Sequence, residues 1–205
     1  MLSDMVKMDK EDSFVIYKEA IDVLEKSGIP YVVGGGIAVM AFGRTRNTKD
    51  IDLYIEPHLR LVALNALKEA GFETDPMLDV SWLAKAFKCG IMIDFILENV
   101  GGIITTPETI GRGKYRSING YRMHIMAPED LIIRKIMAMR SDRNDWYDCM
   151  SVLSSSYQSI DWDYYIRLSD YGIERSLAFL LFASTDLEHV VPVPKWVIKA
   201  LAEKL

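Results

Sequence analysis

The stretch Val32–Glu56, VVGGGIAVMAFGRTRNTKDIDLYIE, decides how the rest of the chain is read. A short apolar run ending in Val33 enters three glycines, Gly34 to Gly36, and the spacing predicts a helical segment over Ile37 to Phe42. A cationic loop with Arg44, Arg46 and Lys49 follows. Asp50-Ile51-Asp52-Leu53-Tyr54-Ile55 then alternates polar and apolar residues, the pattern of a half-buried strand. Residues i and i+2 of a strand share a face about 6.5–7 Å apart, so Asp50 and Asp52 present two carboxylates side by side. Like charges that close repel unless a proton or a cation intervenes. A divalent ion is the simplest resolution, and all-oxygen ligands suit Mg2+ or Mn2+.

The glycines and the acids are expected to form one device. Backbone N–H groups in a glycine-rich strand-to-helix turn can approach a phosphate closely. Arg44, Arg46 and Lys49 lie between that turn and the acids. A phosphate cradle beside a two-carboxylate metal site is what metal-assisted phosphoryl or nucleotidyl transfer requires. A dinucleotide-binding reading of the glycines fits poorly, because the full GxGxxG spacing is missing.

At these residues the chain resembles the DNA polymerase β-like nucleotidyltransferases. The resemblance rests on Gly35-Gly36-x-Ala38, then Gly43-x-x-Arg46-x-Thr48-x-Asp50-x-Asp52. It is strongest to small prokaryotic members, some of which are toxins of toxin–antitoxin pairs. The superfamily pattern adds a third acid on a later strand, and Asp94 sits alone among apolar residues in Ile91-Met92-Ile93-Asp94-Phe95-Ile96. A carboxylate there is costly to bury without a partner, so it faces either water or a metal. The resemblance implies that Asp50, Asp52 and Asp94 hold metal. It also implies that Asp94 helps deprotonate an attacking hydroxyl, and that Gly35, Gly36, Arg44, Arg46 and Lys49 bind nucleotide.

The implied fold is α+β: a nucleotidyltransferase-like mixed sheet flanked by helices, with a catalytic domain over 1–126 and a helical subdomain over 127–205. The implied activity moves a nucleoside monophosphate from a nucleoside triphosphate to a hydroxyl of RNA, protein or a small molecule. An antitoxin protein is a further implied partner. The alternative is a catalytically silent nucleotide-binding or regulatory module of the same fold.

Composition agrees with a compact cytoplasmic protein. Half of the 205 residues are hydrophobic and the formal net charge is −5, so any nucleic acid must meet a local basic patch. Cys89 and Cys149 have no partners at metal-ligand spacing, and the apolar runs are too short to span a bilayer. The first residues, mixed in charge, do not read as a signal peptide.

Elsewhere, helical periodicity predicts helices over 10–26, from Pro57 to about Gly71, and over 80–87. A short strand is expected near Phe72–Thr74, and 101–107 reads as a loop. Asn119-Gly120 predicts a hairpin between 115–118 and 121–126. Pro128-Glu129-Asp130-Leu131 opens a helix whose Lys135 is either solvated or, by the resemblance, aimed at nucleotide phosphate. The next helix begins near Asp145 and Asp148, read either as acids that complement its dipole above a Trp146 core anchor or, by the resemblance, as the acidic segment that follows the lysine helix in related proteins, with Asn144 interrupting the usual Arg-Asp adjacency. Three more helices are expected over 161–168, 173–187 and 195–204, with Trp162, Tyr164 and Tyr165 in the core. His58 reads as a surface or helix-start residue and His124 as structural.

Overall fold

The structure, a computed structural model, describes residues 10–45, 48–142, 144–187 and 190–205. Helix α1 (Lys10–Lys26) leads into strand β1 (Val32–Val33), helix α2 (Gly35–Ala41) and strand β2 (Asp50–Tyr54). Helix α3 (Arg60–Glu69) precedes β3 (Glu73–Asp75), β4 (Leu83–Lys88) and β5 (Ile91–Ile96). A small two-stranded ribbon, β6 (Glu98–Asn99) and β7 (Ile103–Ile104), is followed by α4 (Pro107–Arg112) and the hairpin β8 (Lys114–Ile118) and β9 (Tyr121–Ile125). Helices α5 (Pro128–Ala138), α6 (Asp145–Ser156), α7 (Trp162–Leu168), α8 (Ile173–Ala183) and α9 (Lys195–Ala202) complete the chain.

The main sheet has seven strands in the order β3-β4-β5-β2-β1-β9-β8. It is mixed: β2 runs parallel to β5 and β1 parallel to β9, while the other pairings are antiparallel. Register settles which residues share a face. Ile51 pairs with Ile93, and Ile93 with Ala86; Leu53 pairs with Phe95, and Phe95 with Ala84. All six are fully buried. They lie in one core with Tyr17, Ile21 and Leu24 of α1 and Leu64 and Leu67 of α3, so this face is closed to water. The alternate residues, Asp52, Asp94 and Lys85, point the other way, toward α5. The core continues through Ile132, Leu153, Phe179 and Leu201 of the later helices.

The expected α+β architecture and the first helix are found. The helix expected over 80–87 is instead strand β4. The two alanines favour a helix in isolation, but Ala84 and Ala86 are small inward residues of a strand that pairs along its whole length with β5. Cys89 and Gly90, both with positive φ, make the two-residue turn between them, as Asn119 and Gly120 do between β8 and β9. The expected loop at 101–107 contains β7, and α4 begins at Pro107 with Thr106 as its cap: the Thr106 hydroxyl accepts from the Thr109 N–H. Pro57 opens a short 3-10 turn before α3. The strand expected near Phe72–Thr74 is β3, and the helix expected over 173–187 ends at Ala183.

Tyr164 and Tyr165 are buried, with Trp162 edge-on to Tyr165. The His124 ring nitrogen Nδ1 meets the Tyr31 carbonyl at 2.9 Å, a structural role. Among the described residues no helix is long and apolar enough to cross a membrane.

The Cys89–Gly90 turn can be tested directly. Gly90→Val forces a β-branched residue to positive φ and is expected to cost about 1–2 kcal/mol in chemical denaturation, the usual penalty for left-handed backbone. Unaltered stability would mean that the chain does not turn at this point.

Candidate active site

The site grows from the join between β1 and α2. Gly34 N–H donates to the Asp52 carbonyl at 3.0 Å, so the glycine turn is laced to β2. A Cβ on Gly34 would lie 2.2 Å from the Tyr54 ring, and one on Gly35 would lie 1.6 Å from Asp52 Oδ2. Gly35 also has φ +54. Both glycines are therefore required by β2 itself: its side chains lie flat against a bare backbone. Gly36 is buried in the first turn of α2.

Asp50 and Asp52 sit on β2 as expected. The Thr48 hydroxyl donates to Asp50 Oδ1 at 2.9 Å and fixes that carboxylate. Asp94 lies directly across the β2–β5 pairing from Asp52 and is almost fully buried. On its other side β4 places Lys85, whose Nζ donates to Asp94 Oδ1 at 2.7 Å. Burial lifts the Asp94 carboxyl above the usual carboxylate range; Lys85 pulls it back, and the Asp50 carboxylate adds to the lift.

Asp52, Asp94 and Lys85 open into a cleft of about 640 Å³ between the sheet and α5, and Asp50 lies outside its lining. Gly35, Asp52, Asp94 and Lys85 line its sheet side, and Arg134 and Lys135 line its helix side. Trp82, about half exposed, stands at the wall, near Glu98 and Asn99 of the small ribbon. Arg134 pins that ribbon: Nη1 donates to Asn99 Oδ1 at 2.6 Å and to the Ile103 carbonyl at 3.0 Å, and Nη2 donates to the Ile104 carbonyl at 2.9 Å.

Lys135 is buried, not solvated. Its Nζ donates to Asp145 Oδ1 at 3.1 Å and to Asp148 Oδ2 at 2.9 Å. Those acids therefore do more than complement the helix dipole: they neutralise a buried cation beside the cleft. Trp146, half-buried between them, packs edge-on against Phe179 and Phe182. Arg44 also reaches Asp148, which ties the loop after α2 to α6 rather than pointing at the cleft. Lys49 is exposed. Arg46 and Arg143 lie outside the described residues.

Among the described residues no three Asp, Glu, His or Cys side chains form a ready-made metal cluster. Asp50 and Asp52 nevertheless fit a divalent ion by donor chemistry. They are hard oxygens on one face, and the missing Cβ of Gly35 leaves Asp52 its place. Asp94 is held by an ammonium instead.

Lys85, Trp82, Glu98, Asn99 and Arg134 are site residues that the motif reading missed. For Lys85 a signal existed: Leu83, Lys85 and Phe87 alternate with alanines immediately before a Cys-Gly turn. Arg134 and Asn99 gave none, because they meet only through folding.

This mixed sheet, with its acids on adjacent parallel strands beside a glycine turn, is the nucleotidyltransferase fold. The chain belongs to the family described as "Nucleotidyl transferase of unknown function (DUF2204)", which matches residues 13–205. It is similar in structure to the antibiotic-resistance factor ANT(2'')-Ia, with TM-score 0.56 and 18% identity over 83% of this chain and 96% of that one. ANT(2'')-Ia in complex with adenylyl-2''-tobramycin gives TM-score 0.53 and 17% identity over 83% and 97%. Lincomycin-bound LnuA, a lincosamide antibiotic adenylyltransferase, gives 0.51 and 13% over 72% and 98%. At such identities the likeness is one of fold. No curated protein matches the sequence.

Two substitutions test the geometry. Gly35→Ala adds an atom where Asp52 Oδ2 lies and strains the backbone by about 1–2 kcal/mol. The melting temperature is expected to fall roughly 2–8 °C for a chain of this size. Lys135→Met removes the cation between two buried acids and is expected to destabilise by about 3–5 kcal/mol. Adding Asp145→Asn to that variant, which leaves the Arg44–Asp148 pair in place, should recover part of the loss in urea denaturation. No recovery would mean that Asp145 does not depend on Lys135.

Proposed function

We propose that this chain transfers a nucleoside monophosphate from a nucleoside triphosphate to a hydroxyl of a small-molecule acceptor. The observation that carries the reading is the pairing of Asp52 with Asp94 across β2 and β5, both opening into one cleft beside Gly35. Asp50 and Asp52 would hold a divalent cation, Mg2+ or Mn2+, which when bound supplies Lewis-acid stabilisation of charge on the phosphates. Gly35 and Gly36 offer backbone that a phosphate can approach, and Lys135, on the opposite wall of the cleft, would meet the triphosphate as a donor whose charge is shared with Asp145 and Asp148. Lys49, and Arg46 beyond the described residues, are proposed to assist from the loop. Arg44 is proposed to act indirectly, by fixing that loop to α6.

Asp94 is the group placed to accept the proton of the attacking hydroxyl. Its carboxyl, lifted by burial, is a stronger base than an exposed aspartate. The helical part from residue 127 supplies the far wall, through Leu131, Arg134, Lys135 and Ala138.

A small-molecule acceptor is favoured for two reasons. The cleft volume is that of a ligand pocket, and two similar structures were solved with adenylyl-2''-tobramycin and with lincomycin. RNA and protein acceptors, a toxin role and an antitoxin partner rest on the resemblance of the motif alone. A second reading, nucleotide binding without transfer, is favoured by one observation, the engagement of Asp94 by Lys85.

The deciding measurement is metal-dependent pyrophosphate release from each nucleoside triphosphate over a panel of hydroxylated small molecules. Asp50→Ala and Asp52→Ala are each expected to reduce it about 10³-fold, since a bound metal is worth several kcal/mol and each 1.36 kcal/mol is tenfold. Triphosphate binding with no release from any acceptor would favour the silent module. Activity retained in both variants would exclude the site.

A further inference from the structure

Three charged side chains lie in a row across three adjacent strands: Lys85 on β4, Asp94 on β5 and Asp52 on β2, each the register partner of the next. The row sets one cation beside the nearer of two adjacent acids on a single face. The cation is not a loose surface lysine. Its side chain is only 20% exposed, Nζ is 2.7 Å from Asp94 Oδ1, and the Met92 sulfur lies 3.1 Å from the same nitrogen. Met92 is two residues before Asp94 and shares its face. The ammonium is thus seated on the very carboxylate that a second metal ion would need.

A divalent ion ligated by Asp94 would come within a few ångströms of that ammonium, and like charges at that range repel strongly away from bulk water. Three carboxylates are balanced in charge by one divalent ion and one lysine. We propose that Lys85 takes the place of a second metal ion, so that the chain binds a single divalent cation, on Asp50 and Asp52, while Lys85 holds the Asp94 carboxylate aimed into the cleft. Lys85 is then a positioning residue acting through Asp94. The assignment rests on the metal reading of Asp50 and Asp52 above.

Counting bound Mn2+ tests it without recourse to activity. Electron paramagnetic resonance measures ions per chain with each of the four α,β-methylene nucleoside triphosphates, after subtraction of the free metal–nucleotide complex. The unaltered chain is expected to hold one ion. Lys85→Met, which keeps the length of the stem but not its charge, should hold two, and Lys85→Arg should restore one. Two ions in the unaltered chain would overturn the assignment while leaving Asp50 and Asp52 as metal ligands; this result needs no variant to fold. One ion in a folded Lys85→Met variant, checked by circular dichroism, would overturn it equally. Mn2+ binding that survives Asp52→Ala undiminished would remove the metal reading itself, and this assignment with it.

Discussion

The absence of two carbon atoms organises the site. Asp52 Oδ2 lies where a Cβ on residue 35 would be, and the Tyr54 ring lies where one on residue 34 would be. The glycine turn and β2 can pack together only because both glycines lack side chains. Their contact fixes where the carboxylate points, and the sheet extends that order outward. The parallel pairing of β2 with β5 puts Asp94 beside Asp52, and the antiparallel pairing of β5 with β4 puts Lys85 beside Asp94. Backbone register, rather than any one side-chain contact, is what lines up the charges.

The far side of the cleft is held by a different kind of interaction. Lys135, Asp145, Asp148 and Arg44 form a charged cluster that is largely shut off from water. Buried ion pairs are not strong stabilisers relative to an apolar core, because desolvation offsets most of their attraction. What they do well is fix geometry. Here the cluster seats a lysine against the cleft and joins the loop after α2 to the first turn of α6. Arg134 does the same for the opposite rim through Asn99 and two carbonyls.

Much of the fold was legible in the chain because local chemistry agreed with it. The glycine run, the Asp50–Asp52 alternation, the Asn-Gly turn and the proline-led helix at Pro128 each carry their own signal. The segment 80–87 misled because alanine reports helix preference locally, whereas Ala84 and Ala86 were placed by the pairing of β4 with β5. The same mistake hid Lys85: a lysine assigned to a helix has no reason to face Asp94. The acids Asp50, Asp52 and Asp94 could be picked out singly, since a charge in an apolar strand is conspicuous. The partnership of Lys135 with Asp145 and Asp148 could not, because helical spacing within each element says nothing about what crosses between two helices.

The tie between Arg44 and Asp148 spans 104 positions of the chain. During synthesis the glycine turn and all three acids leave the ribosome well before Asp148 does. For that interval the growing polypeptide carries its acids, yet the loop beside them has no anchor and Lys135 has no counter-charge. Contacts so distant in sequence close late and slowly. Order in this wall of the cleft is therefore expected only once α6 has docked, which gives the last third of the chain a say over the placing of residues made long before it.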